Sequence, residues 1–335
     1  MKIPKALLLG VAAGAAVVIL KRQRPIDLRG KVVLITGGSH GLGVAMARQF
    51  ADEGARLALC ARDLAELRTA QRDLESRGAE VFVMACDVAD RARVEALIEA
   101  VVEHYGHLDI LVNNAGVIQV GPVDTMRIED FEFAMDVMFW GMVYATFAAL
   151  PHLRRAAGAR IVNITSVGGK VSVPHLLPYS CAKFAAVAFS EGLTSELRRD
   201  GVRVVTIVPN LMRTGSYANA HFQGDSESEA AWFAASSSLP GIAISAEKAA
   251  SEIVCATKKG TAEKFLGAPA GLLSRFHGLF PGATGEILSL VNRILPNAAE
   301  RHPRRGSQIP MLRTPLLRAL TALGRKAAER LLQPA

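Results

Sequence analysis

The chain has 335 residues, of which 50% are hydrophobic and 21% are charged. This length suffices for one large or two ordinary globular domains, and the composition excludes a largely disordered protein. The four cysteines are scattered without a C-x-x-C pair, which argues against a disulfide framework or a zinc site and predicts no bound metal.

The formal net charge of +8 is concentrated at the two ends of the chain. Residues 1–31 and residues 300–335 each carry a net charge of +6, which leaves about −4 for the residues between them. A nucleic-acid enzyme more often carries positive charge on a folded face beside aromatic residues, so no nucleic-acid partner is expected. Two basic ends that flank apolar segments instead favour an anionic membrane surface.

An uncharged apolar run, ALLLGVAAGAAVVIL, occupies residues 6–20 between Lys5 and the basic sequence KRQRP. As a helix this run reaches only about 22 Å, less than the roughly 30 Å of a hydrocarbon core, but flanking lysines can extend the span. A cleaved signal peptide is the alternative, although the run ends at KRQRP rather than at a small-residue cleavage site. We therefore expect residues 1–24 to form an uncleaved N-terminal membrane anchor, whose orientation the similar flanking charges do not determine.

Short β-branched runs alternate with amphipathic segments from Lys31 onward. Strands are predicted at 31–37, 56–62, 80–88, 108–116, 160–166 and 202–209, and helices at 41–54, 63–77, 90–105, 127–150 and 178–199. This alternation predicts one α/β domain over residues 31–268 with a Rossmann-type, doubly wound parallel sheet. Ser245 is the predicted N-cap of a further helix that ends near Lys259, and residues 263–267 suit a last short strand.

Two later segments depart from this alternation. Residues 211–241 are rich in small and acidic residues, which suits a mobile lid beyond the carboxyl edge of the sheet. Residues 269–335 are predicted to form a helical, basic C-terminal extension, in which residues 311–332 resemble a basic amphipathic helix at a membrane interface. A helix that packs on the enzyme or on a second subunit is an equally open interpretation.

The first predicted strand leads directly into the glycine-rich turn TGGSHGLG, which a helix follows. Glycines at such a place permit a tight turn and let backbone N–H groups approach a pyrophosphate at the helix N-terminus. The turn therefore predicts a dinucleotide site formed by Thr36, Gly37, Ser39, His40, Gly41, Leu42 and Gly43.

The end of the second strand bears on the choice between NAD(H) and NADP(H). A carboxylate here holds the free 2′-hydroxyl of NAD, whereas an arginine accommodates the 2′-phosphate of NADP. No acid stands at residues 60–62, and Arg62 with His40 could form a phosphate cradle, so NADP(H) is favoured over NAD(H). The alternative for Arg62 is a solvated side chain paired with Asp63 or Glu66.

Asp87 ends the third predicted strand at the same edge of the sheet. Its carboxylate could accept a hydrogen bond from the adenine amino group of a dinucleotide. The alternative is that Asp87 caps the helix that follows it.

Three side chains form the predicted catalytic set. Tyr179 and Lys183 are four residues apart on a predicted helix and therefore share one of its faces. A lysine there stabilises the phenolate and lowers the tyrosine pKa toward neutrality, which makes the tyrosine a general acid and base. Ser166, at the carboxyl end of the fifth strand, can hold a substrate oxygen beside the phenol.

Taken together, these features resemble the short-chain dehydrogenase/reductase family over roughly residues 30–268. The matching motifs are T-G-x-x-x-G-x-G at 36–43, N-N-A-G at 113–116, Ser166, Y-x-x-x-K at 179–183 and the proline after the sixth strand, Pro209. The resemblance implies a Rossmann fold and hydride transfer between the nicotinamide C4 and a carbonyl or alcohol carbon.

The resemblance also implies roles for individual residues. It assigns Tyr179 as proton donor or acceptor, Lys183 as ribose binder and pKa modulator, and Ser166 as the residue that orients the substrate. Further cofactor contacts would come from the residues of the N-N-A-G motif and of the loop after the sixth strand, namely Asn114, Ala115, Gly116, Pro209 and Thr214, the last at the nicotinamide amide. The family also suggests a homo-oligomer, a dimer or tetramer.

Two positions depart from the family pattern. Asn210 stands where a glycine often follows Pro209, which predicts an altered turn without loss of the cofactor. Met138 stands in D-V-M-F-W-G where the family commonly has an asparagine that helps to hold a proton-relay water. A thioether is at best a weak acceptor, which leaves three alternatives: backbone carbonyls hold this water, the relay has another route, or the protein has little turnover.

Three features predict a lipophilic substrate: the anchor, the lid and an apolar path to the site. The residues of this path are Val171, Val173, Pro174, Leu176 and Leu177. Steroids, retinoids and long-chain lipids all fit as ketone, aldehyde or alcohol. His175 in the same loop is expected to line the pocket or face water. The leading hypothesis is a membrane-associated NADP(H)-dependent oxidoreductase with its catalytic domain in the cytoplasm, and the alternative is a membrane-tethered NADP-binding interaction protein with little turnover.

Overall fold

Alternating strands and helices fill the part of the chain that this computed structural model describes, residues 25–297 and 303–333. The strands of these residues are β1 (Val32–Thr36), β2 (Arg56–Ala61), β3 (Val81–Ala85), β4 (Ile110–Asn113), β5 (Gln119–Val120), β6 (Arg160–Ile164), β7 (Arg203–Pro209), β8 (Met212–Arg213), β9 (His221–Phe222), β10 (Ile244–Ser245), β11 (Glu263–Leu266) and β12 (Arg304–Arg305). The predicted membrane anchor, residues 1–24, lies outside the described residues.

The helices connect these strands and continue beyond the last strand of the large sheet. They are α1 (Gly41–Asp52), α2 (Leu64–Glu75), α3 (Arg91–Tyr105), α4 (Ile128–Met135), α5 (Gly141–Leu153), α6 (Leu177–Glu196), α7 (Ser226–Ser238), α8 (Ala246–Lys259), α9 (Ala268–Leu279), α10 (Pro281–Asn292), α11 (Pro315–Leu320) and α12 (Ala322–Arg330). As predicted, Ser245 caps α8 by accepting a hydrogen bond from the Lys248 N–H (3.3 Å), and α8 ends at Lys259.

Seven strands form one parallel sheet in the order β11-β7-β6-β4-β1-β2-β3. Because successive strand residues point to opposite faces, Val33 and Ile35 enter the core on one face while Val32 and Leu34 enter the core on the other. Both faces are covered by helices, which explains why the strands are apolar throughout. The strand order reverses between β1 and β4, and ligands of doubly wound sheets bind at such a switch point. The predicted Rossmann-type sheet is thus confirmed.

The helix predicted over residues 127–150 is interrupted. Between α4 and α5 the chain makes a π-helical turn over Asp136–Trp140, the segment that contains Met138. A Cβ atom on the next residue, Gly141, would lie 2.9 Å from Val88 Cγ2, so glycine is needed for the close approach of the helix to this loop. In the described ranges, Ile128–Leu153 is the one helical stretch long and apolar enough to cross a membrane, and 44% of its most apolar window is buried inside the protein. This is weak evidence for a span, because a buried core helix has the same composition.

Residues after β11 fold back over the domain. Helices α9 and α10 pack on each other, and β12 pairs antiparallel with β9 in a small sheet with β5. The amphipathic segment 311–332 is two short helices, α11 and α12, rather than one. Ala327 and Leu331 are buried in the core beside α1 and α8, so α12 packs on the enzyme.

Candidate active site and cofactor cleft

The glycine-rich turn is tied to the loop after β4 by hydrogen bonds. Thr36 Oγ1 accepts from the backbone N–H groups of Asn114 (2.9 Å) and Ala115 (3.1 Å). The Asn114 side-chain amide donates in return to the carbonyl oxygens of Thr36 (2.9 Å) and Gly37 (3.0 Å). The T-G-x-x-x-G-x-G and N-N-A-G motifs therefore form one rigid wall at the switch point of the sheet.

At two positions of this turn a side chain would be sterically unfavourable, which explains why glycine occurs there. Gly41, the first residue of α1, has φ +60°, a conformation that favours glycine. A Cβ atom on Gly43 would collide with the carbonyl oxygen of Gly37. The first N–H groups of α1 lack intrahelical partners and carry the positive end of the helix dipole, which is the donor set that a pyrophosphate requires. The turn thus fits the pyrophosphate of a dinucleotide.

A carboxylate lies close to the predicted 2′-phosphate cradle. Glu66 Oε2 accepts from Ser39 Oγ (3.1 Å) and lies 3.2 Å from Nδ1 of His40. Arg62 is exposed at the end of β2, whereas Asp63 caps α2 by accepting from the backbone N–H groups of Ala65 and Glu66. A carboxylate therefore lies beside His40 of the predicted cradle, and the sequence interpretation had named Glu66 only as a partner for Arg62.

We expect Glu66→Gln to increase the preference for NADPH over NADH, because a negative charge beside a 2′-phosphate is removed while the side-chain shape is kept. The effect should be about three- to tenfold in the ratio of dissociation constants, since the Glu66 side chain is partly solvent-exposed and its charge is screened. Titration of both nucleotides followed by cofactor fluorescence measures this ratio. An unchanged ratio would place the 2′-phosphate away from Glu66.

Asp87 does not cap α3, so that alternative is wrong. Asp90 caps α3 by accepting from the Arg93 N–H (3.1 Å), while Asp87 Oδ1 accepts from the Ala89 N–H (3.0 Å) within the loop. The chain makes one more turn before the helix begins, which spacing alone did not reveal. Contact of Asp87 with adenine stays a prediction.

Ser166, Tyr179 and Lys183 converge at the carboxyl end of β6. A Cβ atom on Gly168 would lie 3.1 Å from Tyr179 Cε1 and 3.4 Å from Ser166 Oγ, so both groups face the same small space. Ser166 Oγ accepts from the Gly168 N–H (3.0 Å), which fixes the hydroxyl. Lys183 Nζ donates to the Ile164 carbonyl (2.8 Å) and lies 5.8 Å from the centroid of the Tyr179 ring.

Burial shifts the pKa values of both ionisable groups in this set. It raises the pKa of Tyr179, and the hydrogen bond between the phenol and Ser166 only partly opposes this shift. It lowers the pKa of Lys183 to about 8. The expected lowering of the Tyr179 pKa is therefore not seen, because the phenol is desolvated and the Lys183 ammonium donates to the Ile164 carbonyl.

Beneath this site runs a buried polar ladder that sequence reasoning missed. Asn113 donates to Asn163 Oδ1 (2.9 Å), Asn163 donates to Ser190 Oγ (2.9 Å), and the Ser190 and Thr206 hydroxyls lie 2.7 Å apart. These residues belong to β4, β6, α6 and β7, so the ladder links the helix that carries Tyr179 to three strands. The sequence signal for this ladder was a polar residue in each of the three otherwise apolar strands, namely Asn113, Asn163 and Thr206.

A second missed feature joins the loop before α6 to α7, in the segment predicted as a lid. His175 Nδ1 lies 2.6 Å from Oε1 of Glu229, both side chains are buried, and Trp232 Nε1 donates to Oε2 of Glu229 (2.7 Å). His175 has φ +63°, and its carbonyl accepts from the Gly121 N–H (2.8 Å). The residue does not face water, as one interpretation expected, but connects the loop before α6 to α7 of the lid.

Asn210, in the loop after β7, is held by two hydrogen bonds. The Asn210 N–H donates to the Leu266 carbonyl (3.1 Å) and its side chain donates to the Ile242 carbonyl (2.7 Å). Its φ is not among the positive values of the described residues, so asparagine is unstrained here. Thr214, beyond Pro209 in this loop, has its Cβ 4.0 Å from the Cβ position of Gly41, so the loop after β7 contacts the glycine-rich turn.

Met138 is buried beside Gly116 of the N-N-A-G loop. Its Sδ atom lies 3.7 Å from the position that a Cβ on Gly116 would occupy, and its side chain is 1% exposed. A π-helical turn redirects backbone carbonyls, and such turns occur frequently at functional sites. The thioether thus lies beside the N-N-A-G loop.

We expect Met138→Asn to raise turnover by about three- to tenfold if a weakened proton relay limits the rate, because an amide can orient water and a thioether cannot. The measurement is kcat with a saturating substrate at several pH values. Met138→Leu, which keeps volume without adding polarity, is the matched control and should leave kcat unchanged. Equal rates for the Asn variant and the original chain would mean that the relay does not use this side chain.

Comparison with known proteins agrees with this architecture. The profile of the family described as short chain dehydrogenase matches residues 31–223. The protein SadH of Mycobacterium tuberculosis, assigned as an oxidoreductase, is 37% identical over 248 residues, which cover 73% of this chain and 88% of that protein. An 11-beta-hydroxysteroid dehydrogenase of Pinus massoniana is 43% identical over 176 residues, 51% of this chain and 48% of the relative.

The structures of the family also match. L-sorbose reductase from Gluconobacter frateurii, solved in complex with NADPH and L-sorbose, is 28% identical with a TM-score of 0.65, covering 72% of this chain and 97% of the other. The chain therefore belongs to the short-chain dehydrogenase/reductase family. It is an oxidoreductase that acts on alcohol or ketone groups.

Proposed function

We propose that this oxidoreductase uses NADP(H) to interconvert a lipophilic ketone or aldehyde and its alcohol, of steroid, retinoid or long-chain lipid type. The observation that carries the proposal is the surroundings of Tyr179, whose side chain packs against a buried apolar cluster shared by the lid and the loop before α6. The buried members of this cluster are Val120, Leu176, Tyr217, Ala220, Phe222, Ala230, Phe233, Ala234 and Ile309. Apolar walls beside a few polar groups favour an apolar substrate held by one polar end.

The three convergent side chains can carry out the proton chemistry. When bound, the nicotinamide supplies or accepts the hydride at the substrate carbon. Ser166 Oγ holds the substrate oxygen, and the Tyr179 hydroxyl donates its proton to that oxygen during reduction. Because burial raises the pKa of Tyr179, the phenol stays protonated at neutral pH, which favours carbonyl reduction. Lys183 holds the nucleotide ribose and, with its pKa near 8, can exchange a proton close to neutral pH.

The choice of NADP(H) over NAD(H) is supported by the positive groups near the end of β2. His40 and the exposed Arg62 can reach a 2′-phosphate, and a structural relative binds NADPH. Glu66 opposes this preference, which is why its removal is expected to strengthen it. The same proposal includes contacts between the cofactor and five further residues, Leu42, Asp87, Gly116, Pro209 and Thr214.

Membrane association is a further part of the proposal. Helices α9 and α10 and the residues after them expose many large apolar side chains, including Leu272, Leu279, Phe280, Leu290 and Ile294. Together with the apolar run at 6–20, these favour an enzyme at the membrane surface that draws its substrate from lipid, with the catalytic domain in the cytoplasm. Deletion of residues 1–24 should release the protein to the soluble fraction, and unchanged fractionation would leave α9 and α10 as the attachment.

Self-association is supported by the exposed aromatic residues Trp140, Phe147 and Phe184, which lie in the π-helical turn, α5 and α6. An aromatic surface of this kind favours a dimer or tetramer. Sedimentation of the purified chain in detergent tests this part of the proposal.

The test of the function is consumption of NADPH in the presence of a panel of lipophilic ketones and aldehydes. Turnover with apolar but not with hydrophilic carbonyl compounds is the expected result. The second candidate, a membrane-tethered NADP-binding interaction protein, is favoured by Met138 alone among the site residues. Measurable NADPH binding without turnover on any member of the panel would favour that candidate.

A further inference from the structure

The C-terminal residues 327–333, here termed the C-terminal strap, lie directly on the glycine-rich turn. The Leu331 carbonyl oxygen accepts a hydrogen bond from the Gly41 N–H (2.8 Å). Gln333 Nε2 lies 2.8 Å from the point that a Cβ atom on Gly41 would occupy. The strap therefore accepts the hydrogen bond of the Gly41 N–H and also fills the space beside Gly41 that the absent side chain leaves free.

The strap also contacts the loop after β7. Asn219 Nδ2 donates to Gln333 Oε1 (2.7 Å), and a Cβ atom on Gly215 would collide with the side chain of Ala328. Gly215 directly follows Thr214, the residue predicted at the nicotinamide amide. The strap thus bridges the glycine-rich turn and the loop after β7, both of which carry predicted cofactor residues.

Several contacts hold the strap in this position. Leu331 is 1% exposed within the core beside α1, and Arg48 Nη1 donates to the Arg330 carbonyl (2.8 Å). The Gln333 N–H donates to the Ala328 carbonyl (3.0 Å). Leu332 has φ +56°, and in residues 25–297 and 303–333 only His175 shares such a value among non-glycine residues. A left-handed leucine is unfavourable by itself, so the neighbouring contacts must hold it.

We propose that the C-terminal strap is an autoinhibitory element that competes with the dinucleotide for Gly41. The Leu331 carbonyl oxygen places partial negative charge at the positive end of α1, where the turn would otherwise receive a pyrophosphate oxygen. One N–H cannot donate a well-aligned hydrogen bond to both oxygens, and Gln333 fills the space above the glycine. Cofactor binding therefore displaces Leu331 and Gln333 from the cleft. This inference rests on the proposed dinucleotide site at residues 36–43.

Hydrogen exchange of the full chain, with and without saturating NADPH, tests the competition. The Leu331 and Gln333 N–H groups donate within the strap, to the Ala327 and Ala328 carbonyls, and should exchange faster when NADPH is bound. The glycine-rich turn should stay protected, because the cofactor replaces the strap there. NADPH binding with unchanged or increased protection of residues 327–333 would overturn the proposal.

Affinity measurements separate the strap from the proposed function. A chain that ends at Arg330 should bind NADPH about tenfold more tightly, which corresponds to ~1.4 kcal/mol, and Gln333→Ala roughly threefold more tightly. Glu329→Gln, at an exposed strap position, is the matched control and should not change the affinity. Weaker binding by both variants would show that the strap completes the site instead of blocking it. If neither the full nor the shortened chain binds a dinucleotide, the proposed cofactor site fails and the strap has nothing to compete with.

Discussion

Tyr179→Phe should lower kcat by about a thousandfold or more while leaving NADPH affinity within about twofold. The substitution removes one hydroxyl, which is the proton donor to the substrate oxygen, and general acid catalysis commonly contributes factors of hundreds to thousands. The ring, which packs against the lid cluster, is kept, so the fold and the cleft should be unchanged. The measurements are steady-state NADPH consumption and cofactor fluorescence on the same preparation.

A substitution at the neighbouring residue, Ser180, is the control for the Tyr179→Phe experiment. Ser180 is buried next to Tyr179 on α6 and has no role in the proposed chemistry, so Ser180→Ala should retain most of the activity. Substantial activity in the Tyr179→Phe enzyme would exclude the phenol as the acid. Loss of NADPH binding together with activity would indicate that the substitution damages the cleft, and circular dichroism would detect that damage.

His175→Ala should lower the free energy of unfolding by about 3 kcal/mol. The substitution removes one of the two hydrogen-bond partners of a fully buried carboxylate, Glu229, and leaves Trp232 as the other, so the desolvated carboxylate is only partly compensated. Alanine also fits the φ of +63° poorly, which adds to the loss. Urea unfolding followed by circular dichroism measures the change.

Asparagine at the same position gives a sharper test. Asn tolerates the left-handed conformation and can place an amide N–H toward Glu229, so His175→Asn should retain more than half of the lost stability. Arg91→Ala breaks an exposed ion pair with Glu95 and should have no measurable effect. Equal losses for the Ala and Asn variants would show that the hydrogen bond to Glu229 contributes little.

His175 also illustrates the limits of a sequence interpretation. Its partner Glu229 is more than fifty residues away in a segment predicted only as a lid, and no local pattern joins the two. The buried ladder from Asn113 to Thr206 was hidden for the same reason, because its residues lie on three separate strands and one helix and no local pattern joins them. By contrast, the glycine-rich turn after the first strand and the four-residue spacing of Tyr179 and Lys183 are local patterns, so the sequence alone could single out these residues as site candidates.

What the sequence determined by itself is therefore the set of local features. Continuous apolar runs set the strands, period-3.6 apolar patterns set the helices, and their alternation set the parallel sheet, while the spacing of the glycines after the first strand set the glycine-rich turn. The tertiary structure alone decided the position of the strap on Gly41, the π-helical turn at Met138 and the raised pKa of Tyr179. Each of these depends on desolvation or on contacts between residues far apart in the chain, and neither quantity is encoded in the spacing of neighbouring residues.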